Sequence, residues 1–231
     1  SRRMRNTIDE LAGADPSQRN ALTVKADAML RELQARPDAL SLRALGSLFG
    51  RLFDRLYAGV EHQEADLQRI REASKEGTLV LLPSHKSHID YMILSYTFFE
   101  QNLQLPMIAA GDNLNFFPMG PLFRRAGAFF IRRSFRGDRL YGAAVDAYVR
   151  RLIRDGFPIE VFLEGGRSRT GKLLPPRLGL LNMIVDAALN ETQRNVMFVP
   201  VSIGYERIIE TDAYTRELTG GEKSKEGAKS L

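Results

Sequence analysis

Residues 78–90 read TLVLLPSHKSHID, an apolar run that ends at a proline and continues into a cluster of histidine, lysine and aspartate. The run 78–83 has the length and composition of a buried strand. Further runs of this kind alternate with helical patterns, which gives predicted strands at 78–83, 105–110, 128–132, 158–163 and 196–203 and predicted helices at 89–99, 138–154 and 178–189. This alternation predicts an α/β fold, with a mixed, largely parallel sheet flanked by helices.

The first 76 residues have a helical pattern throughout. Its clearest part is an apolar stripe at the spacing of one helix face, formed by Leu45, Leu48, Phe49, Leu52, Phe53 and Leu56. We expect this stripe to pack against the rest of the protein, and the alternative is a helix that lies on a membrane surface. The predicted organisation is an N-terminal helical region at 1–76, an α/β domain at 77–220 and a polar tail at 221–231.

The composition excludes several kinds of chemistry. The chain has 231 residues, 44% of them hydrophobic, and no cysteine, so it can bury a core but has no thiolate nucleophile, thiol-ligated metal or disulfide. Charge-free stretches such as 101–111 and 113–123 fall short of the roughly 18 apolar residues of a membrane-spanning helix. Because the chain begins at Ser1 and its N-terminus is polar and charged, we expect a fragment or a processed chain.

The positive charge is concentrated in one part of the chain. The formal net charge is +5, and between Gly120 and Gly179 there are thirteen Arg or Lys residues against five Asp or Glu residues. Such a concentration attracts anions, which include phosphate groups, nucleic acid and the anionic face of a membrane.

A histidine and an aspartate follow the first predicted strand, five positions apart. A loop at His85 that leads into a helix near Ile89 can fold Asp90 back onto the imidazole. An imidazole held by a carboxylate can accept a proton from a hydroxyl group near neutral pH. His88 could equally be the partner of Asp90, so the spacing leaves both histidines open.

Arginines follow two more of the predicted strands. Arg132 and Arg133 would point to opposite faces of an extended chain, so only one of them readily reaches a shared site and the other is solvated or ion-paired. The stretch 162–172 reads FLEGGRSRTGK, in which glycines allow backbone amides to approach an oxyanion while Arg167 and Arg169 bind a phosphate.

Two better-known motifs match this glycine-rich stretch only in part. The segment 166–172 matches a nucleotide-binding P-loop, but Leu173 replaces the Ser or Thr that would hold magnesium, and Pro175 and Pro176 disrupt the helix that should follow. The segment 166–170 lacks the last glycine of a nucleophile elbow and surrounds its serine with arginines, so a covalent serine mechanism is disfavoured.

Taken in order, these motifs resemble those of the glycerolipid acyltransferase superfamily. The resemblance rests on His85-x4-Asp90, on 127–133, on 162–169 and on Val199-Pro200-Val201. The intervening segments 109–116, 120–125 and 164–171 are similar to those of the large bacterial membrane-bound glycerol-3-phosphate 1-O-acyltransferases, and the likeness extends over roughly 45–225.

The resemblance implies an enzyme that transfers a fatty acyl group from acyl-CoA or acyl carrier protein to the sn-1 hydroxyl of glycerol 3-phosphate. His85 would be the general base and Asp90 would fix its tautomer. The implied phosphate-binding residues are Arg133, Arg167 and Arg169, together with Glu164 and Gly165, which also shape the turn. Pro200 would form a wall near the acyl chain. A salt bridge at the sheet edge is the alternative for Glu164.

The resemblance further implies no metal and no cofactor, and a peripheral location on the cytoplasmic face of the bacterial inner membrane. The nearest alternative is a dihydroxyacetone-phosphate or lysophosphatidate acyltransferase of the same superfamily. The others are a nucleic-acid-binding module and a catalytically silent membrane-binding protein. We expect no nucleic acid partner, because aromatic residues do not alternate regularly with Arg and Lys.

Overall fold

The computed structural model describes residues 1–56, 59–87, 89–135, 137–168, 172–190 and 194–205, without the side chains of 52–54 and 56. The helices are α1 (Arg2–Ala12), α2 (Pro16–Leu33), α3 (Ala39–Leu56), α4 (Glu64–Glu76), α5 (Asp90–Glu100), α6 (Met119–Arg125), α7 (Arg139–Asp155) and α8 (Leu178–Asn190). The strands are β1 (Gly77–Pro83), β2 (Met107–Gly111), β3 (Ala128–Ile131), β4 (Ile159–Glu160) and β5 (Asn195–Val201). The predicted polar tail lies outside these residues.

The five strands form one sheet in the order β3-β2-β4-β1-β5, and every described pairing is parallel. The predicted α/β fold is therefore confirmed, and each predicted strand and helix overlaps an observed one. The largest difference is β4, which has two residues where the sequence predicts six. Because all strands run the same way, the segments that follow them meet at one edge of the sheet.

Helices cover both faces of the sheet. On one face, α1, α2, α7 and α8 share a hydrophobic core with the strands, which includes Leu33, Phe129, Ile153, Ile159 and Ile184. On the other face, Phe98 of α5 packs on Leu79 and Leu81 of β1. The N-terminal helices α1 and α2 thus bury their apolar residues in the same core as the sheet, while the division at residue 76 stays a prediction.

Helix α3 approaches helix α5 closely at two of its glycines. A Cβ added at Gly46 would lie 2.6 Å from the ring of Phe99, and one added at Gly50 would lie 3.3 Å from the ring of Tyr96, both on α5. Of the predicted apolar stripe, Phe49 faces a cavity and Leu48 is 55% exposed. The side chains of Leu52, Phe53 and Leu56 lie outside the description. Every helix in the described ranges is too short or too polar to cross a bilayer.

A carboxyl group is buried in the middle of the sheet. Glu160 of β4 is fully buried, and neither of its carboxyl oxygens has a hydrogen-bond partner among the described residues. Burial raises the pKa of Glu160 well above its usual range, and the negative charge of Asp90 raises it further. The raised pKa favours the protonated, neutral form of Glu160.

This buried acid makes stability depend on pH. The folded state keeps the Glu160 proton above pH 4.5, the ordinary value for the group, whereas the unfolded state releases it. The contribution of the Glu160 proton to the free energy of unfolding is therefore fully present below pH 4.5, and it is lost as pH rises towards the folded-state pKa. We expect Glu160→Gln, which mimics the neutral acid, to unfold with a higher free energy than the parent, by a margin that widens as pH rises above 4.5 towards the folded-state pKa. Denaturant unfolding at several pH values measures the margin, and a constant or shrinking one contradicts the assignment.

Candidate active site

A histidine and a buried aspartate form a hydrogen-bonded pair where β1 ends and α5 begins. His85 Nδ1 lies 2.9 Å from Asp90 Oδ2, and the same oxygen accepts hydrogen bonds from the backbone N–H of Lys86 at 2.6 Å and of Ser87 at 2.9 Å. The predicted return of Asp90 onto the imidazole is confirmed. With the carboxylate accepting at Nδ1, the ring carries its proton there and Nε2 is left as the proton acceptor. His88, the alternative partner, lies outside the described residues.

The glycine-rich loop after β4 holds the His85 ring and backbone from the other side. The ring of Phe162 packs on the imidazole at 4.2 Å between centroids. The backbone N–H of His85 donates to Glu164 Oε1 at 2.9 Å, and the backbone oxygen of His85 accepts from Ser168 N at 2.7 Å. These contacts join the two loops, so the position of the imidazole depends on both.

Glu164 connects two backbone segments. Its second carboxylate oxygen accepts from the backbone N–H of Leu174 at 2.8 Å, and the residue is 8% exposed. The next residue, Gly165, has φ +59°, and a Cβ there would lie 2.7 Å from Cδ of Arg177. Both features fit the turn-shaping role predicted for Glu164 and Gly165, whereas direct substrate contact by either residue stays a prediction.

One cavity brings the imidazole together with the predicted phosphate ligands. It has a volume of about 400 Å³, and its lining includes His85, Arg133, Gly165 and Arg167. Arg169 lies outside the described residues, so its predicted role is not compared. The inner wall of the same cavity is apolar and includes Ile108, Leu114 and Phe123.

The two arginines that follow β3 have separate contacts, as the sequence predicts. Arg132 forms an ion pair with Glu32 of α2 at 2.8 Å, and its guanidinium lies 4.2 Å from the centre of the Tyr141 ring. The hydrogen bond to Glu32 raises the pKa of Arg132. Arg133 Nε donates to Asn113 Oδ1 at 3.2 Å where the chain leaves β2. Arg132 thus anchors this segment to α2, which confirms the predicted ion pair. Both arginines nevertheless line the cavity of His85, so the prediction that only one of them reaches a shared site is wrong.

Pro200 lies apart from this cavity. It is an exposed residue of the edge strand β5, and it lines a second cavity of about 880 Å³ between α4, α5 and β5. Its predicted place beside an acyl chain stays a prediction, since the structure does not bring it to the cavity of His85.

Two further residues reach the site that the sequence did not single out. Arg177 lines the cavity of His85, and its backbone N–H donates to Leu163 O at 2.7 Å. The hydroxyl of Tyr205 donates to Asp90 Oδ1. Arg177 could have been found from the preceding pair Pro175-Pro176, because these prolines turn the chain back after the glycine-rich loop. Tyr205 could have been found from its position a few residues after the last strand, at the edge of the sheet where the other polar segments meet.

Among the residues that the structure describes, no group of three or more His, Cys, Asp or Glu side chains could hold a metal ion. The described side chains at the site include an imidazole, a carboxylate and several guanidinium groups.

Comparison with known proteins relates this site to one family. A family model described as Acyltransferase matches residues 62–204. The chain is 44% identical over 221 residues to the glycerol-3-phosphate acyltransferases of Actinobacillus succinogenes and Pasteurella multocida, which covers 95% of this chain and 27% of each relative. The chain thus spans about a quarter of the length of the curated relatives it matches. A solved lysophosphatidate acyltransferase, PlsC from Thermotoga maritima, gives a TM-score of 0.36 and 14% identity, covering 85% of this chain and 94% of that one.

Because Glu164 accepts two backbone hydrogen bonds, replacing it should lower the stability of the protein, and this can be measured without substrate. In Glu164→Gln, an amide NH₂ would face a backbone N–H that now donates to a carboxylate. We expect the free energy of unfolding to fall by about 1 to 3 kcal/mol, measured by denaturant unfolding. The matched control is Glu76→Gln, because Glu76 is exposed at the end of α4. Equal stabilities of the two variants would contradict the turn-shaping role.

Proposed function

The chain belongs to the acyltransferase family, and we propose that it contains the catalytic centre of a glycerol-3-phosphate 1-O-acyltransferase. The reaction joins a fatty acyl group from a thioester to the sn-1 hydroxyl of glycerol 3-phosphate and gives lysophosphatidate and a free thiol. The observation that carries the proposal is the His85–Asp90 pair at 2.9 Å, in a cavity that Arg133 and Arg167 also line. The names of the similar glycerol-3-phosphate acyltransferases support the choice of substrate.

In the proposed mechanism, Nε2 of His85 removes the proton from the sn-1 hydroxyl. The oxygen attacks the thioester carbonyl carbon, and the carbon–sulfur bond then breaks as the thiol leaves and the imidazolium returns a proton to the sulfur. Asp90 keeps the ring in the correct tautomer and compensates the positive charge that forms on it. A positioned base of this kind raises the rate by about a hundredfold to ten-thousandfold.

The arginines of the cavity supply the other half of the site. We assign the substrate phosphate to Arg133, Arg167 and Arg169, because guanidinium groups match phosphate oxygens through charge-assisted hydrogen bonds. A phosphate held at the arginines leaves the rest of a three-carbon molecule to extend towards His85. Binding at one end thereby aligns the hydroxyl at the other.

We propose that the reaction requires neither a metal ion nor a cofactor. A thioester is already an activated acyl group, so a base and correct alignment are sufficient. The donor is acyl-CoA or acyl carrier protein. Both carriers deliver the acyl group on a thiol, which agrees with direct transfer by a chain that has no cysteine.

We propose that the protein acts at a membrane surface, peripherally on the cytoplasmic face of the bacterial inner membrane. The outer side of α3 supports this location. Leu40 is 80% exposed there and Leu48 is 55% exposed, and Arg43, Arg51 and Arg55 are exposed on the same helix. Exposed leucines beside arginines favour contact with an anionic lipid surface, which would receive the amphiphilic product.

The proposed general base gives the first test. We expect His85→Ala to lower the rate of acyl transfer by about a hundredfold or more, measured as thiol release that depends on glycerol 3-phosphate with a long-chain acyl-CoA. His62→Ala is the control, because His62 precedes α4 and lines the other cavity. A folded His85→Ala protein with more than about a tenth of the parent rate is incompatible with a general base at this position.

The proposed phosphate site gives the second test. We expect Arg167→Ala to raise KM for glycerol 3-phosphate by about tenfold or more and to leave KM for acyl-CoA nearly unchanged. Steady-state kinetics with each substrate varied in turn measures the two constants. Arg154→Ala, which removes an arginine paired with Asp155 on α7, is the control for loss of positive charge. A parallel rise in both constants would assign Arg167 to the carrier or to the fold.

A further inference from the structure

The chain that follows β5 is joined to the His85 loop by several hydrogen bonds. Ser84 N donates to Val201 O at 3.1 Å, and Lys86 Nζ donates to Ile203 O at 3.0 Å. The hydroxyl of Tyr205 then reaches Asp90 Oδ1. The charged side chain of Lys86, the residue after His85, thus binds the segment that follows β5.

Asp90 is held differently at its two carboxylate oxygens. Oδ2 accepts from His85, Lys86 and Ser87, and Oδ1 accepts from Tyr205. Asp90 is fully buried, so water does not supply a bond at Oδ1 if that donor is lost. A donor on each oxygen fixes rotation of the carboxylate about the Cβ–Cγ bond, and with it the direction of the bond to Nδ1.

We propose that Tyr205 is a positioning residue for the His85–Asp90 pair. It acts through Asp90 and not on the substrate, because Tyr205 lines the second cavity, between α4, α5 and β5, whereas the imidazole and the arginines line the other. Its hydroxyl donates to Oδ1 of Asp90, the carboxylate oxygen that does not bond to His85. The kinetic part of this inference rests on the proposed function, and the hydrogen bond itself does not.

The chain contains a matched control for the loss of such a hydroxyl. Tyr96 donates to the carboxylate of Glu100 at 2.6 Å, one turn further along α5 on its exposed side. Tyr205→Phe and Tyr96→Phe therefore each remove a tyrosine hydroxyl that donates to a carboxylate. Only the first of these carboxylates contacts His85.

The experiment combines steady-state kinetics with proton NMR of the whole chain. We expect Tyr205→Phe to lower kcat by about tenfold with KM for glycerol 3-phosphate within about twofold of the parent, because the substrate contacts remain. The hydrogen-bonded Nδ1 proton of His85 should give a downfield resonance that is absent in His85→Gln. Tyr205→Phe should shift it or speed its exchange with water. Tyr96→Phe should leave kcat and the resonance unchanged.

Two results would overturn the proposal. One is an unshifted, equally protected His85 proton in Tyr205→Phe, or a parent spectrum without that resonance. The other is an unchanged kcat in an active protein. If the parent transfers no acyl group to glycerol 3-phosphate, the proposed function fails, and the NMR comparison still decides the role of Tyr205. A fall in melting temperature with the resonance unchanged would assign Tyr205 to the fold alone.

Discussion

The arrangement of the site depends on one buried carboxylate. Asp90 is fully buried, and a negative charge without compensation in such a position would be strongly unfavourable. Its compensation comes from two backbone N–H groups, the imidazole of His85 and the hydroxyl of Tyr205. Asp90 is also the first residue of α5, where the positive end of the helix dipole favours an anion. The loop between β1 and α5 therefore has to adopt the shape that presents His85 to the cavity.

The parallel sheet explains how distant segments reach this carboxylate and its cavity. The chains leaving β1, β2, β3 and β4 supply His85, Asn113, Arg133 and Arg167, and the chain after β5 supplies Tyr205. The N-terminal helices contribute through Glu32, which pairs with Arg132 next to Arg133. The helical region therefore supports the wall of the cavity as well as the core. Glu160 lies within the same sheet, and its burial and the charge of Asp90 both raise its pKa and so favour its neutral form.

Much of this could be predicted from local patterns. The alternation of apolar runs and helical periods predicted the α/β fold. The change from strand to helix near Ile89 predicted that Asp90 can fold back onto an imidazole, with His85 and His88 both left open as its partner. The different partners of Arg132 and Arg133 agree with the opposite directions of neighbouring residues in an extended chain, although both residues line the cavity. These inferences succeeded because each depends on a few consecutive residues.

Hydrogen bonds from the backbone of a distant segment could not be predicted, because they leave no pattern in the local sequence. The two amides that Glu164 accepts belong to His85 and Leu174, and nothing in the sequence of either residue marks its N–H as a donor to a carboxylate. The shortness of β4, which has two residues, likewise had no local signal in the apolar run 158–163. Tyr205 and Arg177 were missed because their roles depend on where the chain returns after β5 and after Pro176.

The carboxylate of Glu164 has a consequence for how such proteins can change over time. It binds one loop through His85 and another through Leu174, so the three segments share a single geometry. Exchanging one of them with the corresponding piece of a distant relative would leave two partners fitted to a loop no longer present. Segments joined in this way have to be inherited together.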